Sequence, residues 1–163
     1  SYALISTAAG VFRYVPPTTP EGAWDVTCLL VQPTSDIVAT DFDGDGKLEI
    51  LTFSKFHGDT LAIWHEGQTR DRYEQVWCDP QKRSFLHALW AADLNGEKCV
   101  VIGNRKDGRD LLLVRYVDGQ YTVDVIDHDL GPANCMVYKH DGSNYIVAAY
   151  RETDQLALYK VVE

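Results

Sequence analysis

The sequence predicts an all-β fold of short antiparallel strands. Apolar and polar residues alternate in short runs, and no stretch of a dozen residues shows the 3.6-residue period of an amphipathic helix. Turn residues, mainly Gly, Asp and Pro, separate the runs at hairpin-length intervals. With 163 residues, of which 45% are hydrophobic and 24% charged, the chain is long enough for one domain with a hydrophobic core.

Each predicted strand is a run of alternating residues, rich in β-branched and aromatic side chains, that begins and ends beside turn residues. In chain order the fourteen predicted strands span residues 2–7, 11–15, 24–31, 36–41, 48–53, 60–65, 73–77, 87–93, 99–104, 110–116, 121–126, 134–138, 145–150 and 155–161.

The strands belong to a repeat. AADLNGEKCVVIGNR, starting at residue 91, aligns without gaps with VYKHDGSNYIVAAYR, starting at 137, and both align with ATDFDGDGKLEILTF at 39 if its turn has two extra residues. The next strand also matches, in DTLAIWHEG, RDLLLVRYVDG and DQLALYKVVE, and the strand after that opens on an aromatic residue, namely Trp24, Tyr73 or Tyr121. The repeating unit therefore contains four strands in about 48 residues.

Such a unit is typical of a β-propeller blade, because one small sheet cannot bury both of its faces and must stack on copies of itself. With strands named A to D from the axis outward, residues 1–34 supply B to D of one blade. Residues 35–82 and 83–130 form two complete blades, and residues 131–163 supply A to C of a last one. We therefore expect residues 1–163 to be one propeller segment of about three and a half blades. The remaining blades, or another subunit, would be needed to close the ring.

The turn between strands A and B of the first complete blade has the pattern of a calcium loop. In DFDGDGKLE, three aspartates occupy positions 1, 3 and 5, a backbone carbonyl occupies position 7, and a glutamate occupies position 9. An EF-hand is excluded, because position 12 is a threonine inside a predicted strand. An oxygen-only set of ligands suits one structural Ca²⁺, held by Asp41, Asp43, Asp45, the Lys47 carbonyl and Glu49. The alternative is a plain Asp/Gly hairpin. The equivalent turns DLNGEK and KHDGSN carry fewer acids and are predicted to bind no metal.

The DxDxDGxxE loop and the repeats resemble the FG-GAP or VCBS repeat family of calcium-loop propellers, which includes the heads of integrin α subunits. The resemblance implies a seven-bladed ring with Ca²⁺ in A–B hairpins, on the face opposite the ligand-binding loops. Members of the family include adhesion heads, sugar-binding lectins, and lyases or dehydratases that act on carbohydrates, so the resemblance alone fixes no function.

The connections on the opposite face carry cationic and histidine side chains, which could focus an anionic ligand on a chain with a formal charge of −9. The candidate ligand-binding residues are Lys55, Asn134, Arg151 and Glu152, and the candidate catalytic residues are His57, His87 and Arg105. Lys82, Arg83 and Lys106 belong to the same connections. Solvated loops are the alternative for the lysines and arginines, and a structural role is the alternative for the histidines.

Two classes of function remain open. The first is a calcium-braced binding or scaffold propeller for a saccharide or another anionic small ligand. The second is a carbohydrate lyase or dehydratase, because FLHALWAADLNG with GNR, FHGD and AAYRETD is similar to the propeller group containing aldos-2-ulose dehydratase and related polysaccharide lyases. This resemblance implies His87 or His57 as the base, and Arg105 or Arg151 as the group that binds a carboxylate or polarises a carbonyl.

Other classes are disfavoured by composition. A net negative charge without a basic cluster argues against a nucleic-acid partner, and the apolar runs are too short for a transmembrane helix. The four cysteines contain no CxxC pair, so we expect buried free thiols. Free thiols favour the cytoplasm, whereas a secretory signal upstream of this segment would make it extracellular. We expect Trp64, Trp77 and Trp90 to lie in the core between blades. We expect His65, His128 and His140 to lie at the surface.

Overall fold

The computed structural model describes residues 1–162, and the prediction of an all-β chain is confirmed. These residues contain fourteen strands and no helix, and every strand pairs antiparallel with its sequence neighbour in one of four sheets. The predicted strand ends agree with the observed ends to within two residues. The sheets do not close into a ring within the described residues.

The first sheet contains β1 (Ala3–Thr7), β2 (Gly10–Val15) and β3 (Asp25–Leu30). The second contains β4 (Thr34–Thr40), β5 (Glu49–Ser54), β6 (Leu61–Glu66) and β7 (Tyr73–Cys78). The third contains β8 (Leu86–Leu94), β9 (Glu97–Asn104), β10 (Leu111–Val117) and β11 (Gln120–Asp127). The fourth contains β12 (Pro132–His140), β13 (Ser143–Tyr150) and β14 (Gln155–Lys160).

The sheets stack face to face in chain order, with a hydrophobic layer between each successive pair. The layer between the second and third sheets includes Leu51, Phe53, Ile63, Val100, Ile102 and Leu112. The layer between the first and second sheets is built around Val11, Leu29, Leu30 and Ile50, and the layer between the third and fourth around Val101, Leu111, Ile146 and Ala148. The strands β5 and β9 contribute to layers on both sides, which explains why their sequences are nearly continuous apolar runs.

Because the strands alternate in direction, the connections separate into two groups. The β4–β5, β8–β9 and β12–β13 turns lie at one end of the sheets, here called the hairpin end, and the β5–β6, β7–β8 and β9–β10 connections lie at the other, here called the rim. At the hairpin end, Asn95–Gly96 and Asp141–Gly142 have positive φ at both residues, as two-residue type I′ turns require.

One irregularity repeats at the rim. The register shifts by one residue near the start of β4, β8 and β12, which leaves Ser35, His87 and Ala133 as the extra residues of three β-bulges. A bulge turns a side chain away from the regular alternation of the strand. The three sheets therefore share a local distortion at the place where the chain enters them.

The tryptophan prediction is wrong for Trp90, whose surface is 41% exposed. Trp90 lines an open groove together with Val137 and Tyr138 of β12. By contrast, Trp64 and Trp77 are partly buried against hydrophobic layers.

All four cysteines are free thiols, but the prediction that they are buried is wrong for Cys28 and Cys78, which are only partly buried. Cys99 and Cys135 are buried, and burial raises the pKa of each thiol to about 12. Residues 1–162 include no helix with the length and hydrophobicity needed to cross a membrane.

Candidate functional site

The acidic turn between β4 and β5 is folded by its own aspartates. Asp41 accepts hydrogen bonds from the backbone N–H groups of Gly44 (2.8 Å) and Gly46 (3.1 Å). Asp43 accepts a hydrogen bond from the Asp45 N–H at 3.1 Å, and Asp45 accepts one from the Lys47 N–H at 2.8 Å. One carboxylate oxygen from each of the three aspartates and from Glu49 lies within 4.8 Å of the others. The predicted carboxylate ligands are therefore brought together.

Glu49 is the buried member of this group. Its side chain is 0% exposed, and Oε2 accepts a hydrogen bond of 2.6 Å from the Phe42 N–H. Its other oxygen, Oε1, is buried and has no hydrogen-bond partner within residues 1–162. Burial raises the pKa of Glu49 above its usual value, although the Phe42 bond opposes this. A buried carboxylate oxygen without a partner is costly, so this atom fits an oxygen-binding cation.

The structure adds a residue that sequence reasoning missed. His65, on β6, lies beside Glu49 because Ile50 of β5 pairs with Trp64 of β6. Its Nε2 is 3.2 Å from Oδ2 of Asp45 and 3.4 Å from Oε1 of Glu49. Its side chain is only 19% exposed, so the predicted surface position is only partly correct: His65 is half-buried at the edge of an open groove. Only the pairing register of β5 and β6 would have shown that His65 lies beside Glu49.

The surroundings of His65 act on its protonation in opposite directions. Burial disfavours the charged ring, but the Glu66 carbonyl and the carboxylates of Asp45 and Glu49 outweigh it and raise the pKa of His65 above its ordinary value. With its second ring nitrogen facing two carboxylates, His65 supplies compensating positive charge when it is protonated.

An open groove of about 580 Å³ lies beside the acidic turn. Asp43, Asp45 and His65 line it together with three aromatic residues. The aromatic residues are Trp77, Tyr116 and Tyr121, and the Tyr121 ring also meets Phe42 edge-on with centroids 5.8 Å apart. The turn is thus packed against the third sheet while the carboxylates of Asp43 and Asp45 stay accessible.

At the rim, two of the candidate catalytic residues are stacked. The His57 and His87 rings lie nearly parallel, with centroids 4.9 Å apart, and Phe85 stacks on His57 at 4.5 Å. His57 and Phe85 both have positive φ, 48° and 61°, a conformation that non-glycine residues rarely adopt. The local strain is therefore concentrated where the rings converge.

The β8 bulge orients His87. Its Nδ1 lies 2.9 Å from the Ala133 carbonyl oxygen, so in the neutral ring Nδ1 donates its hydrogen and Nε2 is left unprotonated. Burial lowers the pKa of His87, and neighbouring His57 and Arg105 lower it further, against the opposing effect of the Ala133 bond. His87 is thus held in the neutral form, as a general base or a hydrogen-bond acceptor requires.

Arg105 is not a free cation. It forms an ion pair with Glu152, with Nη2 2.5 Å from Oε1, and its guanidinium lies 5.1 Å from the centroid of the Phe85 ring. The same arginine holds the pKa of Glu152 below its usual value. Among the described residues Lys55 and Lys106 form no ion pair, and both line an open groove of about 510 Å³ with His57 and Phe85.

The remaining candidates lie apart from this groove. The Asn134 side chain accepts a hydrogen bond from the Cys135 N–H, and Arg151 is exposed. Arg83 is buried in an ion network, 2.9 Å from Asp79 and 3.7 Å from Asp110. It therefore holds the β7–β8 connection in place and is unavailable to a ligand.

No protein-family model matches the chain, and no curated protein matches it. The family resemblance therefore rests on the acidic loop and the repeats alone.

Proposed function

We propose that this chain is part of a β-propeller of the FG-GAP or VCBS type, in which a calcium-braced hairpin end supports a ligand-binding rim. Support comes from four antiparallel sheets stacked in chain order, with matching bulges at the same end of three of them. Each sheet would be one blade or part of one. A closed ring would need further blades, from the same protein or from another subunit.

The calcium part of the proposal rests on Glu49 Oε1, which is buried, unpartnered within the described residues and close to three aspartates. Asp41, Asp43, Asp45 and Glu49 would supply carboxylate oxygens, and the Lys47 carbonyl would complete the protein's contribution. Ca²⁺ at this position would compensate four clustered carboxylates and fix the turn against Phe42 and the aromatic groove. Its role would be structural.

The ligand part of the proposal rests on the rim groove. Lys55 and Lys106 line the groove with Asp59 and supply positive charge that no carboxylate of the described residues pairs with, and the rings of Phe85 and His57 line the same groove. Ring faces bind the apolar face of a sugar, and ammonium groups bind carboxylates. An acidic saccharide, such as an oligomer of a uronic acid, fits this combination.

Binding of galacturonic acid oligomers, measured by isothermal titration calorimetry, tests this proposal. We expect Lys55→Ala and Lys106→Ala each to weaken binding by about tenfold, the effect of about 1.4 kcal/mol from one charged contact. Lys139→Ala is the matched control, since Lys139 is an exposed lysine on β12. Equal binding by neutral galactose oligomers, or an equal loss in the control, would contradict the assignment.

A second function is favoured by one observation, the neutral His87 with an unprotonated Nε2 beside His57. In a carbohydrate lyase or dehydratase, His87 would remove the proton next to a carboxylate or carbonyl. Arg105 is already paired with Glu152, so Lys55 or Lys106, which line the rim groove with His57 and form no ion pair among the described residues, would hold the substrate anion. Formation of unsaturated sugar products, abolished in His87→Gln but with binding retained, would establish this activity. Turnover unchanged in that variant would exclude His87 as the base.

A further inference from the structure

The orientation of His65 is that of a metal ligand. Its Nδ1 is 2.8 Å from the Glu66 carbonyl oxygen and donates its hydrogen there, while Nε2 lies 3.2 Å from Oδ2 of Asp45 and, in the metal-free chain, donates a hydrogen that a bound metal ion would replace. Histidines that bind metals almost always donate their other ring N–H to a carbonyl or a carboxylate in this way, which fixes the tautomer and the ring orientation. His65 on β6 therefore places a nitrogen donor beside the carboxylate oxygens of the turn.

The distances also fit a small ion. One ligand atom from each of Asp43, Glu49 and His65 lies within 4.8 Å of the other two, and Nε2 of His65 is 3.4 Å from Oε1 of Glu49. Ligand bonds of about 2.0–2.1 Å in a tetrahedral zinc site place neighbouring donors about 3.3 Å apart. The oxygen in this pair is the buried one that has no hydrogen-bond partner among the described residues.

The groove beside the turn provides access. Asp43 and His65 both line it, so an ion can reach these donors from solvent, and a water molecule has room to complete the coordination. Imidazole nitrogen favours zinc and other late first-row ions over calcium, which prefers six to eight oxygen ligands at about 2.3–2.6 Å. The two ions would thus use different subsets of the same cluster.

We infer that the acidic turn is also a zinc site, in which Asp43, Glu49 and His65 bind Zn²⁺ in competition with Ca²⁺. The inference builds on the proposed metal-binding function of this turn. Asp43 and Glu49 belong to both ligand sets, so the two ions exclude each other. His65 belongs only to the zinc set and therefore decides which ion the turn prefers.

Calorimetric titration of the metal-free chain with ZnCl₂ and, separately, with CaCl₂ tests this inference. We expect His65→Gln to weaken zinc binding by roughly tenfold or more, the usual range for perturbed zinc sites, and to change calcium binding by less than about threefold. His140→Gln is the matched control, because His140 is an exposed histidine beside an aspartate at the equivalent end of β12. It should leave both affinities unchanged.

Cobalt, a spectroscopic substitute for zinc, supplies a second readout. The Co²⁺ complex of the wild type should show visible bands of a nitrogen and oxygen site without thiolate charge-transfer bands, and excess Ca²⁺ should remove them. Thiolate bands would instead assign the ion to Cys28 or Cys78, the partly exposed cysteines, and would overturn the inference.

The remaining outcomes separate the two proposals. Equal zinc affinity in wild type and His65→Gln would overturn the inference and leave the calcium proposal intact. An equal loss of both ions in a folded variant, verified by its circular dichroism spectrum, would also overturn it, since His65 would then only support the turn. Zinc binding that depends on His65, without any calcium binding, would support the inference and contradict the calcium proposal.

Discussion

Replacing Glu49 with glutamine separates the metal's contribution to stability from that of the turn itself. In E49Q, the amide oxygen of the new side chain could still accept the hydrogen bond from the Phe42 N–H, while the neutral amide removes a buried charge. Oε1 has no hydrogen-bond partner among the described residues, and its burial costs the metal-free wild type at most about 1–3 kcal/mol, because His65 at 3.4 Å offsets part of the charge. Without metal, we therefore expect E49Q to be at least as stable as the wild type.

Calcium should reverse this order. An ion present at about 100 times its dissociation constant stabilises the folded state by about 2.7 kcal/mol. For a chain of this length, 1 kcal/mol moves the melting temperature by about 2–4 °C, so calcium should raise that of the wild type by about 5–11 °C. E49Q lacks the buried anionic ligand and should lose most of this increase.

Thermal denaturation followed by circular dichroism, once in EDTA and once in CaCl₂, measures both effects. Asp141→Asn is the matched control, because Asp141 lies in the corresponding β12–β13 turn with its side chain 88% exposed. It should show the same calcium-induced increase as the wild type. A full calcium-induced increase in E49Q would refute the metal assignment, and a loss of stability in EDTA would show that Glu49 supports the turn without metal.

Three further predictions concern the fold and the rim. Ile102→Ala, in the layer between the second and third sheets, should lower the free energy of unfolding in urea by about 2–5 kcal/mol, and a loss below about 1 kcal/mol would contradict the tight packing of that layer. Arg83→Ala leaves Asp79 and Asp110 buried without their partner and should cost about 3–5 kcal/mol in the same assay, whereas a neutral result would mean that water replaces the guanidinium. Folding lowers the pKa of His87, so the unfolded chain binds a proton more readily than the folded chain. The wild type should therefore lose stability as the pH falls from about 6.5, the usual pKa of histidine, towards the lower pKa of His87 in the folded state. His87→Gln should remove that pH dependence, and an unchanged profile would show that another group is responsible.

The strands could be predicted from sequence because their physical causes are local. Alternating side chains, β-branched residues and Asn-Gly or Asp-Gly turns act over a few residues, so the observed ends lie within two residues of the predicted ones. The clustering of Asp41, Asp43 and Asp45 was predictable for the same reason, since nearby backbone N–H groups hold all three.

Contacts across strands and sheets could not be predicted in the same way. His65 reaches Glu49 only through the β5–β6 register, and Arg105 meets Glu152 from a different sheet. The prediction for Trp90 was wrong because strand alternation gives the face of a side chain but not whether a neighbour covers that face. The bulge that orients His87 likewise depends on a register shift that its own segment does not reveal.

The reactivity of the buried cysteines can report how easily the stacked sheets separate. Cys99 and Cys135 lie in strands on the two sides of the interface between the third and fourth sheets, and with a pKa of about 12 neither is reactive while it stays buried. A thiol reagent would modify Cys28 and Cys78 first and the buried pair only during transient openings. The labelling rate of each buried cysteine, compared with that of an unfolded peptide, therefore gives the free energy of separating individual sheets without denaturing the whole chain.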